Sequence, residues 1–396
     1  MKMMSNFKGI FGFLVATMGL FLSTSMFTNW NPEKVIIRND QISSRAEIRE
    51  LQDSTTQKIT VAKDANLCNP HQDVVLLKTH KTGGSTLQNI IYRYGDKNNL
   101  TFALPETDNY FGTPHLFSRS FVKKLPSVKK YNMLANHARY SQPEFEKCMP
   151  ADTIYITIIR HPASQFESMY KYYKFSDRFH ASIIKFASNP SKFYQRSHLR
   201  TQRRRQSGVN PMLFDLGLRK EYLQDNLRIK RQIKLIDENF GLVLISEFFD
   251  QSLILLKDLL CWRLEDVAYF VVNARKESQV VQLSDEVKST LTRWNEGDLL
   301  LYQHFNKTLW KKIYNYGYEK LQTEVEELRD IMASYKDLCL DKSSKRFEHG
   351  GKTLVVNYRA KSVSASASDD SLCKSLTYKP LVYLSKLRKK MKFMSN

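Results

Sequence analysis

Residues 74–95 read VVLLKTHKTGGSTLQNIIYRYG, and that order of residue types constrains the fold more than any other stretch of the chain. Val74-Val75-Leu76-Leu77 is a short apolar run of the kind that forms a buried strand. Lys78 to Thr86 is a polar turn with Gly83 and Gly84 side by side. Leu87, Ile90, Ile91 and Tyr94 then recur at i, i+3, i+4 and i+7, one face of a helix that Gly95 is expected to end. A strand, a glycine turn and a helix make a phosphate-binding unit. Glycines let backbone N–H groups close around an anion, and the helix N-terminus adds partial positive charge.

The turn is not a nucleotide-binding Walker loop, which needs G-x-x-x-x-G-K-[ST]. Here Lys81 precedes the glycines in Lys81-Thr82-Gly83-Gly84-Ser85-Thr86, and no Lys-Ser/Thr pair ends the loop. A lysine ahead of a Gly/Ser/Thr turn resembles the 5′-phosphosulfate loop of sulfotransferases. The string KTHKTGGSTLQNI, from Lys78 to Ile90, resembles the galactose-3-O-sulfotransferase family in particular. The resemblance implies that Lys81 is catalytic. It also implies that Lys78, Thr82, Gly83, Gly84, Ser85 and Thr86 help to hold the donor, 3′-phosphoadenosine 5′-phosphosulfate.

A second unit follows the same plan. Thr153 to Ile159, TIYITII, is a β-branched run typical of a buried parallel strand. Arg160 ends it, Pro162 suits a helix start, and Phe166, Met169, Tyr170 and Tyr173 share a helical face. Arg160 and Ser168, eight residues apart, resemble the sulfotransferase pair that binds the donor's 3′-phosphate. Arginine suits that task because its fork donates two parallel hydrogen bonds. The chain departs from the family pattern at the next position, where an acidic residue is usual and His161 stands. Between the two units, Met133-Leu134-Ala135 predicts a strand ending in Asn136-His137-Ala138-Arg139-Tyr140. Polar groups just past a strand's C-terminal end are where α/β folds place ligands. His137 is either a structural histidine at a strand end or a general base, since imidazole is suited to take a hydroxyl proton near neutral pH. Spacing alone favours the first; a catalytic histidine in a similar place in related enzymes, between the two donor motifs, puts the second role level with it.

The remainder bounds the setting. Residues 1–8 read as a short cytoplasmic tail and 9–28 as an uncharged, apolar anchor of about the length a bilayer requires, roughly 20 residues. Lys2 and Lys8 before it direct the rest to the lumenal side. A cleaved signal peptide, with Ser23-Thr24-Ser25 near the cut, is the alternative. Residues 29–67 form a polar stem and 68–396 the catalytic domain. Asn99-Leu-Thr and Asn306-Lys-Thr are glycosylation sequons. Cys68, Cys148, Cys261, Cys339 and Cys373 belong in an oxidising lumen, where an odd count leaves one unpaired within the chain and Cys339 with Cys373 is the favoured bridge. The formal charge of +21 suits anionic substrates. No zinc-finger or RNP-type motif points to nucleic acid. The clusters Arg200, Arg203, Arg204, Arg205 and Lys386, Arg388, Lys389, Lys390, Lys392 read as solvated surface, with a donor contact open for the first. Residues 176–205 could form a lid. Gly241 to Ile245 predicts a further strand, Arg219 to Glu238, Ser284 onward and Tyr318 to Tyr335 predict helices, and Ser362 to Ser371 a low-complexity loop.

The expectation is an α/β protein with the P-loop-like sulfotransferase fold, a parallel sheet flanked by helices. It would be a single-pass Golgi membrane enzyme moving a sulfuryl group to the 3-hydroxyl of a terminal β-galactose on a glycolipid or glycoprotein. No metal is required, because a sulfuryl group carries less charge than a phosphoryl group. Oligomerisation stays open. The rivals are a sulfotransferase for another sugar such as a glycosaminoglycan uronic acid, a P-loop kinase, and an inactive membrane-anchored carbohydrate-binding homologue.

Overall fold

The computed structural model describes residues 68–394 apart from 198–206, 273, 351–352 and 363–365. The anchor and stem, and the Arg200–Arg205 cluster, lie outside the described residues. Among the described residues no helix is long and apolar enough to cross a membrane.

Four strands form one parallel sheet: β1 (Val74–Leu77), β2 (Met133–Leu134), β3 (Ile154–Ile159) and β4 (Leu242–Ile245), in the order β2-β1-β3-β4. Val74 pairs with Ile154 and Leu77 with Thr157, while Ile156 pairs with Leu242 and Ile159 with Ile245. All four residues of β1 and of β4 are buried, so a continuous apolar run replaces the alternation of a one-sided sheet. Thr157 is the polar exception, and its hydroxyl donates to the Leu77 carbonyl at 2.8 Å.

Helix α1 (Gly84–Lys97) follows β1 and α2 (Pro162–Tyr172) follows β3. The short helix α3 (Pro211–Asp215) and α4 (Asn226–Asn239) precede β4. Helices α5 (Phe249–Leu260), α6 (Asp285–Trp294), α7 (Glu296–Tyr316) and α8 (Tyr318–Cys339) follow. Leu87, Ile90 and Ile91 of α1 are fully buried, each worth about 1.5–3 kcal/mol. Helix α1 runs two residues past Gly95. That glycine is needed for close packing instead, since a Cβ there would lie 2.4 Å from Phe102 Cζ.

From β1 the chain crosses through α1 to β2 on one side, then returns past β1 to β3 on the other. The C-terminal ends of β1 and β3 therefore border a switch point, the crevice where open α/β sheets bind ligands. A second, antiparallel sheet holds β5 (Ala274–Arg275), β6 (Lys345–Gly350) and β7 (Thr353–Tyr358), in the order β5-β7-β6. Helices α9 (Ala367–Thr377) and α10 (Pro380–Met394) close the chain against α1.

Three expectations are corrected. Residues 367–371 open α9, with the Ser366 hydroxyl accepting from Asp369 N, so half of the expected loop is helix. The described part of the expected lid forms short helices whose Phe179 and Phe186 pack on Tyr170 and Phe166; aromatic burial fixes this segment to α2. The C-terminal basic residues are not simply solvated, because Lys386 and Lys390 pair with Asp96 of α1. Cys339 is bridged to Cys373, Cys68 to Cys261, and Cys148 is a buried free thiol.

Candidate active site

The loop after β1 takes its shape from a few specific contacts. Lys81 and Gly83 both have positive φ, 63° and 85°. Gly83 caps α1 in the left-handed region, where L side chains are strained. Gly84 answers a different need, since a Cβ there would lie 3.0 Å from Lys78 Cγ. The Thr79 and Thr82 hydroxyls share a hydrogen bond of 2.8 Å. Thr79 also donates to the Ile158 carbonyl, and Ser246, just past β4, donates to the Thr82 carbonyl. Gln165 of α2 donates to the His80 carbonyl at 2.8 Å. The loop is thus pinned by β3, β4 and α2 together, and it opens into the first turn of α1, where Thr86 N donates to the Gly83 carbonyl at 3.1 Å and the N–H groups ahead of it have no helical partner.

The cations are concentrated here. Lys81 is half-buried, with its Nζ 3.9 Å above the centre of the Tyr172 ring. Burial, then the charges of Arg275 and Arg160, bring its pKa down to about 8, against an opposing pull from Glu167. Lys78 is buried and donates to Gln88 Oε1 at 2.7 Å; burial and the Lys81 charge bring it to about 7. Burial also lowers Arg160, which Glu247 and Glu167 partly offset. Arg275 on β5 is clasped by both oxygens of buried Glu167. These groups repel one another, and an anion among them would return Lys78, Lys81 and Arg160 toward their ordinary charged state.

His137 lies beside them, buried. Its Nδ1 stands 3.0 Å from the Lys78 carbonyl, which can only accept, so Nδ1 carries the proton and Nε2 is the basic nitrogen. Burial first, then His80 and Lys78, hold its pKa well below 6.5, leaving the ring neutral at pH 7. Its ring stacks on His80 at 4.3 Å and on Tyr110 at 4.9 Å.

The structure therefore gathers Lys78, Lys81, the Thr82–Thr86 backbone, Arg160 and His137 at the ends of β1 and β3. Two of these side chains face inward: the Thr82 hydroxyl serves the loop, and the Thr86 hydroxyl accepts from Val272 N at 3.4 Å. Ser85 is half-buried in the first turn of α1, and Ser168 is buried about two turns into α2, on the unit that carries Arg160. Asn99 is exposed beyond the end of α1, away from these residues. Asn306 corrects the second sequon. It is 2% exposed within α7, with no room for a glycan.

Other residues had no local signal. Asp215 at the end of α3 accepts from His80 N at 2.7 Å and from His80 Nδ1 at 2.8 Å, across 135 positions. His80 Nε2 is buried and meets no hydrogen-bond partner among the described residues. Glu247 accepts from His161 N at 3.0 Å, so a carboxylate from the end of β4 stands where the sequence offered none after Arg160. A signal did exist for Gln88, a glutamine on the apolar face of α1. Among the described residues no group of three or more His, Cys, Asp or Glu side chains could hold a metal ion.

Comparison with known proteins agrees with this geometry. Residues 19–353 match the Galactose-3-O-sulfotransferase family. Galactosylceramide sulfotransferase of Mus musculus is 34% identical over 340 residues, covering 81% of this chain and 79% of the relative. Its Homo sapiens counterpart is 38% identical over 283 residues, 70% of this chain and 66% of the relative. Galactose-3-O-sulfotransferase 2 of Mus musculus is 34% identical over 309 residues, 73% of this chain and 78% of the relative. With the match spanning most of the chain, this protein belongs to the galactose-3-O-sulfotransferase family.

Proposed function

We propose that the chain transfers the sulfuryl group of 3′-phosphoadenosine 5′-phosphosulfate to the 3-hydroxyl of a terminal β-galactose on a glycolipid or glycoprotein. One observation carries the reading: Lys81 and Arg160, with Lys78 and Arg275 behind them, surround the start of α1 while a neutral imidazole lies alongside. Cations and a helix N-terminus suit a donor with phosphate groups at both ends, and a neutral imidazole suits an acceptor that must lose a proton.

In this reading Arg160 and Ser168 hold the 3′-phosphate, while Lys81 and the Thr82–Thr86 N–H groups hold the 5′-phosphosulfate. The acceptor oxygen forms the new S–O bond as its proton passes to His137 Nε2. The old S–O bond breaks with its electron pair going to the 5′-phosphate oxygen, where Lys81 stabilises the developing charge. The two disulfides suit an oxidising compartment. Together with the apolar stretch 9–28 they support a lumenal domain anchored in the Golgi membrane, with Asn99 as its exposed sequon.

The test is transfer by the purified full chain in detergent, with the donor and a panel of β-galactosides and uronic-acid oligosaccharides, scored as sulfate mass gain. Wild type should sulfate galactosides, and Lys81→Ala should lose about 100–1,000-fold in rate, the usual cost of removing one group that stabilises a developing anion. Transfer to uronic acids alone would replace the acceptor; donor binding without transfer to any sugar would leave a binding protein.

A further inference from the structure

The C-terminal helix meets the site's surroundings through Tyr383, which lies edge-on to Tyr92 of α1, and through Arg388. Arg388 of α10 donates from Nε and Nη2 to the Pro105 carbonyl, at 3.0 and 2.8 Å, and from Nη2 to the Asp108 carbonyl at 2.6 Å. The clamped residues lead directly into Asn109 and Tyr110. Asn109 Oδ1 accepts from Gln88 Nε2 at 3.3 Å and from Asn136 Nδ2 at 2.6 Å, and Gln88 in turn accepts from Lys78. Tyr110 lies on the His137 ring at 4.9 Å. Backbone bonds from Phe111 N to the His137 carbonyl (2.8 Å) and from His137 N to the Asn109 carbonyl (3.2 Å) fix the two segments side by side.

We propose that Arg388 is a positioning residue for the reaction, holding residues 105–110 so that Tyr110 covers His137 and Asn109 steadies the Gln88–Lys78 pair. The role in transfer rests on the function proposed above; the geometry does not. A guanidinium is suited to this because its rigid fork can bridge two carbonyls of a loop otherwise paired by single bridges, Pro105 to Val122 and Tyr110 to His137. Arg388 lies beyond residue 353, where the match to the family ends. The helix that presents it is itself tied down. Lys386 and Lys390 pair with Asp96, the Tyr383 hydroxyl donates to Asp96, and the Cys339–Cys373 bridge holds the preceding α9 to the end of α8. The arrangement is a strap fastened at both ends, with Arg388 on the loop over the base and Tyr383 edge-on to Tyr92 of α1, ring centres 5.6 Å apart.

The consequence can be read on His137. The groups facing it are His80, Lys78 and Lys81 from the β1 loop and Tyr110 from the clamped loop; Asp215 of α3 stands behind His80, and Tyr173, next to α2, meets His80 edge-on. All the charges among them stay in place when Arg388 is replaced. Only the cover changes. Burial is the main cause of the low His137 pKa, so loosening Tyr110 admits water and lets that pKa rise toward 6.5.

The experiment uses the full chain in three forms, Arg388→Ala, Arg388→Lys and Lys386→Ala, and follows the His137 ring by NMR, assigned by its loss in His137→Gln. Both Arg388 variants should raise the His137 pKa by about one unit or more and move the acid limb of kcat/KM upward with it. Lys386→Ala removes a neighbouring ion pair on the same helix and should leave the titration as in wild type. Wild-type titration in folded Arg388→Lys, or the same shift in Lys386→Ala, overturns the proposal; should Arg388→Ala fail to fold, the lysine variant still decides. Because the titration needs no turnover, a wild type that transfers no sulfuryl group would defeat the proposed function and leave this readout standing on its own.

Discussion

The proposed donor side and the proposed base side of the site are built in opposite ways. The donor side is two copies of one local plan, strand then turn then helix, at residues 74–97 and 154–172. Each places its groups within a few residues of a strand end. The base side is assembled from afar. His137 bonds to Lys78 across 59 positions, His80 to Asp215 across 135 and Arg388 to Pro105 across 283. The contrast follows from the two tasks. An anion is bound by backbone N–H groups and a helix end, which a short segment can supply alone. Keeping an imidazole neutral, in one tautomer and covered, takes a carbonyl, two stacked rings and the exclusion of water, and no single segment reaches from every side.

The largest effect should separate the two sides. His137→Gln removes the basic nitrogen while leaving the loop and its cations in place. A positioned base contributes about 100–10,000-fold, so kcat should fall on the order of 1,000-fold, about 4 kcal/mol of barrier. Donor affinity by calorimetry should match wild type. A parallel loss of donor binding would mean that the two sides form one unit after all.

The same contrast decided what could be read from the sequence. The strand–turn–helix of Lys78 to Thr86, the β3 run with Arg160, and the helix beneath Tyr318 all announced themselves by period and punctuation, and the structure has them within a few residues. His137 was legible as a polar residue past a strand, though its tautomer was not, because Lys78 lies 59 positions away. Asp215 could not be read at all, Glu247 only as an acid at a strand end without a role, and Arg388 only as one of a solvated basic cluster. Each is an ordinary charged residue locally, and its meaning comes from the partner the fold brings to it. Asn306 failed for the converse reason: the sequon is a local pattern, and burial in α7 overrides it. Gly95 carried a helix-stop signal, yet tertiary contact with Phe102 explains it better.

A smaller effect should appear in the pH dependence of donor binding. Burial brings the free lysines to about 7 for Lys78 and about 8 for Lys81, and a bound anion favours their charged forms. Binding near pH 8 should therefore take up protons, seen by calorimetry in buffers of different ionisation enthalpy. Affinity should weaken as pH rises above 8, by up to about tenfold per unit for one linked lysine. On the acid side the sign is reversed. His137 is held well below 6.5, so it stays a competent base down to pH values where an ordinary histidine would already be protonated. Donor affinity that stays flat from pH 7 to 10 would remove the lysines from the donor side.

The smallest effect is the most local. Gly83 sits at φ 85° and ψ 0°, and a Cβ there would meet Ile158 Cδ1 and Ser246 Oγ at 3.8 Å, ordinary contact distances. Gly83→Ala should cost only the left-handed backbone strain, about 1–2 kcal/mol of stability in denaturant unfolding. Gly84→Ala differs because its Cβ would press on the Lys78 stem at 3.0 Å and so disturb the Gln88 contact that the base side shares. Combining each with Arg388→Ala turns this difference into a test. Gly83→Ala should add to Arg388→Ala within about 0.5 kcal/mol, as independent sites do, whereas Gly84→Ala should couple to it through Lys78, Gln88 and Asn109. Coupling of about 1 kcal/mol at Gly83 would show that even the cap of α1 depends on the distant strap, and the division between a locally written donor side and a globally assembled base side would have to move to a later residue of the loop.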